Sequence, residues 1–293
     1  MSWILLAGLS IISYKFLSDK INAWARVYSN DLYTEIPLVL LDMQPPEVII
    51  SDTYQPKTSM YAIDLIRRFS EAVYYNQDMV IPDKLRVLGL ISYDKYEPSL
   101  AIVLSDDDGH IWIVVRGTHT STDFQHDTMF HQVPIYPDQP YFKVHEGFYK
   151  IFRMVMPKIY TLFRHYGNVK KITVTGHSMG GAVGTLIAYD LYDKKYQVNA
   201  YIYASPRVVN FELSNNIGFK IFRIDNTEDI VATKPPPLVI SLDDTPNTYN
   251  HVGEAIIFSE NRLSFERNHT IPVYYDFVFS QYNKRLEIQN NKK

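Results

Sequence analysis

Ser178 lies in the pentapeptide Gly-His-Ser-Met-Gly (176–180), which has the pattern G-x-S-x-G. A β-branched run, ITVT (172–175), precedes it, and a run of small residues, GGAVG (180–184), follows it. A strand, a sharp turn and a helix in this order hold a serine hydroxyl exposed at the apex of the turn, where it acts as a nucleophile. The helix N-terminus directs backbone N–H groups into the space above that hydroxyl. The alternative is a glycine-rich turn whose serine has no chemical role.

The rest of the chain offers partners for such a serine. A serine hydroxyl is a weak nucleophile, so it needs a base, an acid that orients the base, and hydrogen-bond donors for the oxyanion. In folds built around this turn, the order along the chain is serine, acid, histidine. His251 and His269 are the only histidines that follow Ser178, and both are candidate bases.

The acid is expected in a loop beyond the strand that follows the turn. Asp229 lies just past the predicted strand FKIFRIDN (219–226), and it is the leading candidate. Asp225, within that strand, is an alternative, as are Asp243 and Asp244 in a polar loop.

Other histidines have simpler explanations. His145 and His177 precede or adjoin the serine, and we expect them to form hydrogen bonds in the structure around the turn. His126, Asp127 and His131 raise the question of a metal site. Their spacing does not match the H-E-x-x-H pattern, so we predict neither a metal ion nor a cofactor.

Strands and helices alternate through the chain. Runs rich in β-branched and aromatic residues are separated by segments that have the apolar spacing of amphipathic helices. This alternation predicts the α/β class, with a mostly parallel central sheet and helices on both faces. The predicted helices are 59–75, 145–167, 179–194 and one that follows Asn268 and ends near Tyr282, and the predicted strands are two within 99–117, joined by a turn at 106–109, then 171–175, 199–205, 219–226 and 254–258.

The composition limits the function further. The chain has 293 residues, of which 46% are hydrophobic, and a formal net charge of −3. Its length suits one large α/β domain or two small ones. The small net charge argues against a nucleic-acid partner. Because the chain has no cysteine, disulfides, thiolate metal sites and a cysteine nucleophile are excluded.

The N-terminal segment differs from the rest of the chain. The run WILLAGLSIISY (3–14) contains no charged residue. Apolar runs of about 10–14 residues are typical of interfacial, signal-like or buried segments. We expect a membrane anchor or interfacial helix, with a signal peptide or a buried helix as alternatives. The predicted organisation is an apolar segment at 1–20, an extension at 21–58, the main α/β domain at 59–285 and a polar, frayed tail at 286–293.

Six segments, in order, resemble the class 3 lipase family of α/β-hydrolases, the fungal triacylglycerol lipase type. The resemblance covers roughly residues 60–282. Met179 stands where the family usually has leucine, and Val209 replaces a glycine. The segments are VVRGTHTSTDFQHD (114–127), VHEGF (144–148), VTGHSMGGA (174–182), YASPRVVN (203–210), RIDNTEDIVATKPPP (223–237) and NHTIPVYY (268–275).

The resemblance implies the α/β-hydrolase fold and the hydrolysis of carboxylic esters. Ser178 then attacks the ester carbonyl, His269 is the base, and Asp229 orients the imidazole. The backbone N–H groups of Thr118 and Met179 form the oxyanion hole, and the Thr118 hydroxyl is a candidate third donor. The family segment that resembles YNHVGE usually has a histidine that is not catalytic, which favours His269 over His251.

The resemblance also places a short lid at 119–130. Its apolar residues are few: Phe124, Met129 and Phe130. A polar lid favours dispersed esters or membrane lipids over bulk fat. Together with the run at 3–14, this predicts a membrane-associated hydrolase of acyl lipids. The alternatives are a phospholipase A1, a soluble esterase or an acyltransferase that uses the same site, or a catalytically silent membrane-bound interaction protein.

Overall fold

The structure is a computed structural model that describes residues 49–120, 123, 126, 127, 129, 131–240 and 246–291. A central sheet contains seven strands: β1 (Arg86–Ile91), β2 (Ala101–Ser105), β3 (His110–Val115), β6 (Lys171–His177), β7 (Val198–Tyr203), β8 (Lys220–Asn226) and β11 (Glu254–Phe258). Their order is β1-β2-β3-β6-β7-β8-β11. The pairs β1–β2 and β2–β3 are antiparallel, and the four pairs from β3 to β11 are parallel. The prediction of a mostly parallel α/β sheet is confirmed.

Two short antiparallel strand pairs and several α-helices complete the described part of the chain. Two antiparallel pairs lie outside the central sheet: β4 (Gln132–Pro134) with β5 (Lys143–His145), and β9 (Leu238–Ile240) with β10 (Pro246–Thr248). The α-helices are α1 (Pro56–Tyr74), α2 (Glu146–Tyr166), α3 (Met179–Asp193), α4 (Phe211–Ser214), α5 (Phe265–Asn268) and α6 (Ile271–Asn290).

Each face of the central sheet carries its own apolar cluster. Successive residues of a strand point to opposite faces. In β3, Ile113 therefore packs with α2 and α3 on one face, and Val114 packs with α1 and α6 on the other. Buried helix residues on the first face include Ile151, Val155, Leu186 and Ile187, and those on the second include Ile63, Ile66, Val273 and Val278.

The central strands are apolar on both sides because helices cover both faces. Five of the six residues of β3 are buried, as are six of the seven residues of β6. These two strands pair in parallel over their whole length, from His110 opposite Lys171 to Val115 opposite Gly176. The carboxyl end of β6, where Ser178 follows, is thereby fixed next to the carboxyl end of β3.

Some elements differ from the sequence-based expectation. The last helix continues to Asn290 instead of ending near Tyr282, so it includes most of the tail that we expected to fray. The tail contains Lys, Arg, Leu, Glu and Gln, which are strong helix formers. Helix α1 begins at Pro56, three residues before the predicted start, since proline is favoured in the first turn. Strands β1, β4, β5, β9 and β10 were not predicted because they are short or partly exposed.

The N-terminal apolar run at 3–14 lies outside the described residues, together with the rest of segments 1–20 and most of 21–58. Within the described part of the chain, no helix has both the length and the apolar character needed to cross a membrane.

Candidate active site

Ser178 occupies a sharp turn between β6 and α3. Strand β6 ends at His177, and α3 begins at Met179. Ser178 has φ 59° and ψ −129°, a conformation that is strained for a residue with a side chain. Its backbone N–H donates to the carbonyl of Tyr203 in the neighbouring strand, at 3.0 Å. This is the geometry of a nucleophile elbow, in which the backbone itself presents the serine hydroxyl.

Two glycines allow the elbow to form. A Cβ atom on Gly176 would lie 2.1 Å from the carbonyl oxygen of Gly180. A Cβ atom on Gly180 would lie 2.3 Å from the carbonyl oxygen of Val115 at the end of β3. Both distances are far below van der Waals contact, so only glycine permits helix α3 to start this close to the sheet.

Three side chains that are distant in sequence form a hydrogen-bonded chain at the elbow. Ser178 Oγ lies 2.8 Å from His269 Nε2, and His269 Nδ1 lies 2.7 Å from Asp229 Oδ2. Asp229 follows β8 in the chain, and His269 lies between α5 and α6. The Asp229 carboxylate is fully buried, while the His269 side chain is 21% exposed. The elbow thus has a base within reach and a buried acid behind it.

The surroundings of Asp229 keep its carboxylate ionised. Burial alone would raise its pKa, but the hydrogen bond and charge of His269 lower it. The Tyr274 hydroxyl donates to Asp229 Oδ2 at 2.6 Å, and the Val231 N–H donates to Oδ1 at 2.9 Å. Together these donors hold the pKa of Asp229 below its usual value. His269 Nδ1–H therefore donates to the carboxylate, which leaves Nε2 free to accept the serine proton.

Tyr274 is a site residue that the sequence did not single out. It lies in the first turn of α6, is fully buried, and also accepts a hydrogen bond from the Asn226 N–H at 3.3 Å. Burial and the nearby charge of Asp229 raise its pKa well above the usual value, so its hydroxyl stays protonated and donates. Its only signal in the sequence was its position shortly after His269 in a predicted helix.

Two buried asparagines join the loops that carry Asp229 and His269. Asn226 Nδ2 donates to the carbonyl of Asn268 at 3.3 Å, and Asn268 Nδ2 donates to the carbonyl of Glu228 at 3.0 Å. Asn226 also accepts from the backbone N–H of Glu260 at 2.9 Å. These side-chain bonds connect the two loops beyond the point where the pairing of β8 with β11 ends, at Asn226 opposite Phe258.

The predicted oxyanion residues lie beside the serine. Met179 is the first residue of α3, where a backbone N–H has no partner within the helix. A Cβ atom on Gly117 would lie 3.4 Å from Ser178 Cβ, so Thr118, the next residue, is adjacent to Ser178. The Thr118 hydroxyl lies 2.6 Å from Asp127 Oδ2.

A buried ion pair holds the start of the predicted lid. Arg116 Nη1 lies 2.7 Å from Asp123 Oδ2, and both side chains are fully buried. Asp123 Oδ2 also accepts from the backbone N–H groups of His119 and Thr120, each at 2.9 Å. The Tyr93 hydroxyl donates to the other oxygen at 2.7 Å. The start of the lid is therefore anchored to the end of β3.

Two of the three apolar residues of the predicted lid, Phe124 and Phe130, lie outside the described residues. Asp243 and Asp244, two of the alternative acids, also lie outside them. Asp225, the third, forms an ion pair with Arg223.

The alternative base, His251, has a different position. Its Nε2 lies 2.7 Å from the carbonyl oxygen of Ala232, in the loop that follows Asp229. Burial, together with the charges of Arg223 and Arg207, lowers its pKa to about 3. A neutral imidazole that donates to this carbonyl braces the loop that carries the acid.

Two further histidines lie around the elbow. The ring of His177 packs against that of His269, with a centroid separation of 4.8 Å. His145 precedes α2, and its Nδ1 accepts from the Phe148 N–H at 3.4 Å. The hydrogen bond of His145 is the kind of contact expected from the sequence, whereas His177 meets the site through its ring.

Comparison with known proteins gives a family match for the central part of the chain. Residues 112–239 match the family model Lipase (class 3). Phospholipase A1-Igamma1, chloroplastic, of Arabidopsis thaliana is 32% identical over 136 residues, which cover 38% of this chain and 26% of that protein. The lipase of Rhizomucor miehei is 30% identical over 169 residues, which cover 53% of this chain and 45% of that protein. The matched region therefore spans less than half the length of either relative.

The fold is shared with solved lipase structures. One is a triacylglycerol lipase whose catalytic centre is described as a serine protease triad. It superposes with a TM-score of 0.57 at 25% identity, over 72% of this chain and 83% of that one. The α/β sheet and these similarities show that the chain has the α/β-hydrolase fold and that its residues 112–239 match the class 3 lipase family.

Proposed function

We propose that this protein hydrolyses the ester bonds of acyl lipids with Ser178 as nucleophile, His269 as general base and Asp229 as the acid that orients it. The observation that carries the proposal is the continuous hydrogen-bonded chain Ser178–His269–Asp229 at a strained elbow. A serine in this setting reacts with a bound ester carbonyl, because the base takes its proton as the bond forms.

The reaction proceeds through an acyl-enzyme. Ser178 Oγ attacks the carbonyl carbon while its proton passes to His269 Nε2, and the oxyanion accepts hydrogen bonds from the N–H groups of Thr118 and Met179. The ester C–O bond then breaks, and His269 gives the proton to the leaving alcohol. Water attacks the acyl group, its proton passes to His269 and then to Ser178 Oγ, and the carboxylic acid leaves. Asp229 stays ionised throughout and stabilises the imidazolium.

Labelling with a fluorophosphonate probe tests the nucleophile. The wild-type protein should be labelled and should hydrolyse a short-chain ester, and Ser178→Ala should lose both properties. Ser259→Ala, which changes an exposed serine, is the matched control and should behave like the wild type. Equal labelling of Ser178→Ala, or no labelling of the folded wild type, would support a silent protein and contradict the proposal.

The pH dependence of hydrolysis tests the base. The imidazole of His269 accepts the serine proton only when it is neutral, so kcat should fall in acid as the imidazole becomes protonated. A rate that stays constant down to pH 4 contradicts His269 as the base.

Phospholipase A1 activity is the second candidate, and the similarity to the Arabidopsis phospholipase A1 favours it. A substrate panel distinguishes the two. Equal amounts of a short-chain ester, monoacylglycerol, triacylglycerol and phospholipid should be compared by kcat/KM. A preference for phospholipid at its sn-1 ester establishes the second candidate, and a preference for the glycerides establishes a lipase in the narrow sense.

We also propose that the apolar run at 3–14 holds the protein at a membrane, so that its lipid substrate arrives from the bilayer. The support is the sequence alone, since the run has no charge over twelve residues. Deletion of residues 1–20 should move the protein from the membrane fraction to the soluble fraction. An unchanged distribution contradicts this part of the proposal.

A further inference from the structure

The peptide group that links Gly117 to Thr118 makes contacts at both of its ends. In the proposed reaction its N–H, that of Thr118, donates to the oxyanion. Its carbonyl, that of Gly117, accepts a hydrogen bond from Arg116 Nη1 at 2.8 Å. A trans peptide is planar, so its C=O and N–H point in opposite directions within one plane. A contact that fixes the Gly117 carbonyl therefore also fixes the direction of the Thr118 N–H.

The side chain of Arg116 is held firmly at this position. It is fully buried. Its Nε donates to the carbonyl of Ser99 at 2.8 Å, and the backbone N–H of Arg116 donates to the carbonyl of Leu100 at 3.1 Å. Nη1 also pairs with Asp123 Oδ2 at 2.7 Å. Because these contacts leave the guanidinium little freedom, the carbonyl that it contacts is confined as well.

The hydrogen bond to the Gly117 carbonyl comes from a charged donor. Such bonds are about twice as strong as those between neutral groups. Hydrogen bonds in a chain also polarise one another where the dielectric constant is low. A cation at the carbonyl oxygen therefore makes the N–H of the same peptide, that of Thr118, a stronger donor.

The neighbouring carboxylate of Asp123 does not cancel this cation. Burial alone would raise the pKa of Asp123, but the hydrogen bond and charge of Arg116 lower it, so Asp123 is ionised. Its Oδ2 also accepts from the backbone N–H groups of His119 and Thr120, each at 2.9 Å. The Tyr93 hydroxyl donates to its other oxygen at 2.7 Å. Since the negative charge is shared among these donors, the guanidinium remains an effective cation at the peptide carbonyl.

The second oxyanion donor is held in a different way. The Met179 N–H belongs to the peptide whose carbonyl is that of Ser178. This carbonyl accepts from the backbone N–H groups of Gly181 at 2.8 Å and Ala182 at 3.2 Å, in the first turn of α3. Neutral backbone donors thus orient this peptide, whereas a buried cation orients the peptide of Thr118.

We propose that Arg116 is a positioning residue for the oxyanion hole, which orients and polarises the Gly117–Thr118 peptide so that the Thr118 N–H donates more strongly to the oxyanion. The carbonyl oxygen of a bound ester carries only a partial negative charge, whereas the oxyanion carries a full one. A stronger donor therefore stabilises the transition state more than the bound substrate. Loss of the cation should lower kcat and leave KM nearly unchanged.

This inference rests on the proposed function, and substitutions of Arg116 that separate charge from shape test it. Loss of a whole oxyanion donor lowers kcat by about 10²–10³. In Arg116→Gln the donor is weakened but not lost, so kcat for a soluble short-chain ester should fall about 10- to 100-fold, with KM changed less than threefold. Arg116→Lys keeps a cation beside Asp123 and should recover part of the loss. Arg153→Gln, on the exposed face of α2, is the matched control and should keep the wild-type kcat.

A boronic acid inhibitor separates the oxyanion hole from a general loss of structure. Its boron binds Ser178 Oγ and becomes tetrahedral and negatively charged, so that the adduct resembles the transition state. The inhibition constant of a short alkyl boronic acid should rise in each Arg116 variant by the factor by which kcat falls. The inhibition constant for Arg153→Gln should equal that of the wild type.

Several results would overturn the inference. These are a wild-type kcat in Arg116→Gln, a rise in KM with unchanged kcat, or a fall in kcat without a matching rise in the inhibition constant. Circular dichroism checks folding, because Arg116→Gln leaves the buried Asp123 without its counter-ion. If it does not fold, the double variant with Asp123→Asn, which leaves neither charge, takes its place, and a wild-type kcat there contradicts the inference. If neither folds, a wild-type kcat and inhibition constant in Arg116→Lys contradict the need for the guanidinium geometry. A wild type that hydrolyses no ester contradicts the proposed function instead.

Discussion

The proposed nucleophile and the proposed acid–base pair are held in place by different means. Ser178 is positioned by backbone packing within a few residues, since α3 begins directly against the ends of β6 and β3. Asp229 and His269 lie on two loops that are 40 residues apart, and side-chain hydrogen bonds from Tyr274 and the asparagine pair connect them. Substitutions that add volume at the elbow should therefore reduce activity by displacing Ser178. Around Asp229 and His269, substitutions that remove a hydrogen-bonding group should reduce activity instead. The following predictions test that contrast, from the largest effect to the smallest.

Asp229→Asn should cause the largest loss of activity. Asparagine has nearly the same volume as aspartate, but it cannot stabilise the imidazolium, and it favours the wrong tautomer of His269. The corresponding change in a well-studied serine protease lowers kcat by about 10⁴. Here kcat for ester hydrolysis should fall by a similar factor while the melting temperature changes little. A loss below tenfold would show that His269 is oriented by other contacts.

Gly180→Ala should damage the elbow through volume alone. The added Cβ atom would lie 2.3 Å from the Val115 carbonyl, so α3 must shift. Overpacking of this kind costs about 1–3 kcal/mol of unfolding free energy, and the displaced Ser178 should lower kcat at least 100-fold. Denaturant unfolding and ester hydrolysis measure the two effects.

Gly184→Ala is the matched control for that change. Its Cβ atom would meet Val174 at 3.4 Å and Ile202 at 3.5 Å, which are ordinary van der Waals distances. It should therefore change neither stability nor kcat appreciably. Equal behaviour of the two glycine variants would contradict the view that packing at the start of α3 positions the serine.

Tyr274→Phe should have an intermediate effect. It removes one hydrogen bond to the buried Asp229 carboxylate and leaves the aromatic ring in place. A hydrogen bond to a charged group contributes about 1.5–3 kcal/mol to stability. We expect about half of this energy to be lost from the transition state, so kcat should fall about tenfold. Tyr275→Phe, on the same helix, is the control and should retain wild-type kcat. If both variants retain wild-type kcat, the function of Asp229 does not depend on its hydrogen bond from Tyr274.

Mild acid should lower the stability of the protein through two buried histidines, His177 beside the elbow and His251 beside the loop that follows Asp229. Burial, with the neighbouring His269, lowers the pKa of His177 to about 3, and burial lowers that of His251 to the same value. The unfolded chain therefore binds more protons below about pH 6.5, and stability falls as the pH decreases. Between pH 7 and pH 6 each histidine should reduce the unfolding free energy by about 0.7 kcal/mol.

Urea unfolding at pH 7 and pH 6 measures this slope. His177→Gln and His251→Gln should each reduce the pH-dependent loss by about the amount that one histidine contributes. An unchanged slope in either variant would mean that the replaced histidine is not buried in its neutral form.

Much of the fold was predictable because its signals are local. Strands β2, β3, β6, β7, β8 and β11 have apolar runs bounded by turns, and α2 and α3 have clear helical patterns. Strands β1, β9 and β10 were missed because their burial is partial and depends on the elements packed against them. The end of α6 was placed too early because polarity alone does not end a helix whose residues are good helix formers.

The sequence by itself determined the elbow, since glycines and small residues around Ser178 are required by contacts within a few residues of it. It also determined the order of serine, acid and histidine. Only the tertiary structure decided that Tyr274 supports Asp229 and that Asp127 lies against Thr118. A tyrosine or aspartate in these positions has the same pattern in sequence as one exposed to solvent. Its role depends on burial and on partners far along the chain, which arise only when the sheet and helices pack together.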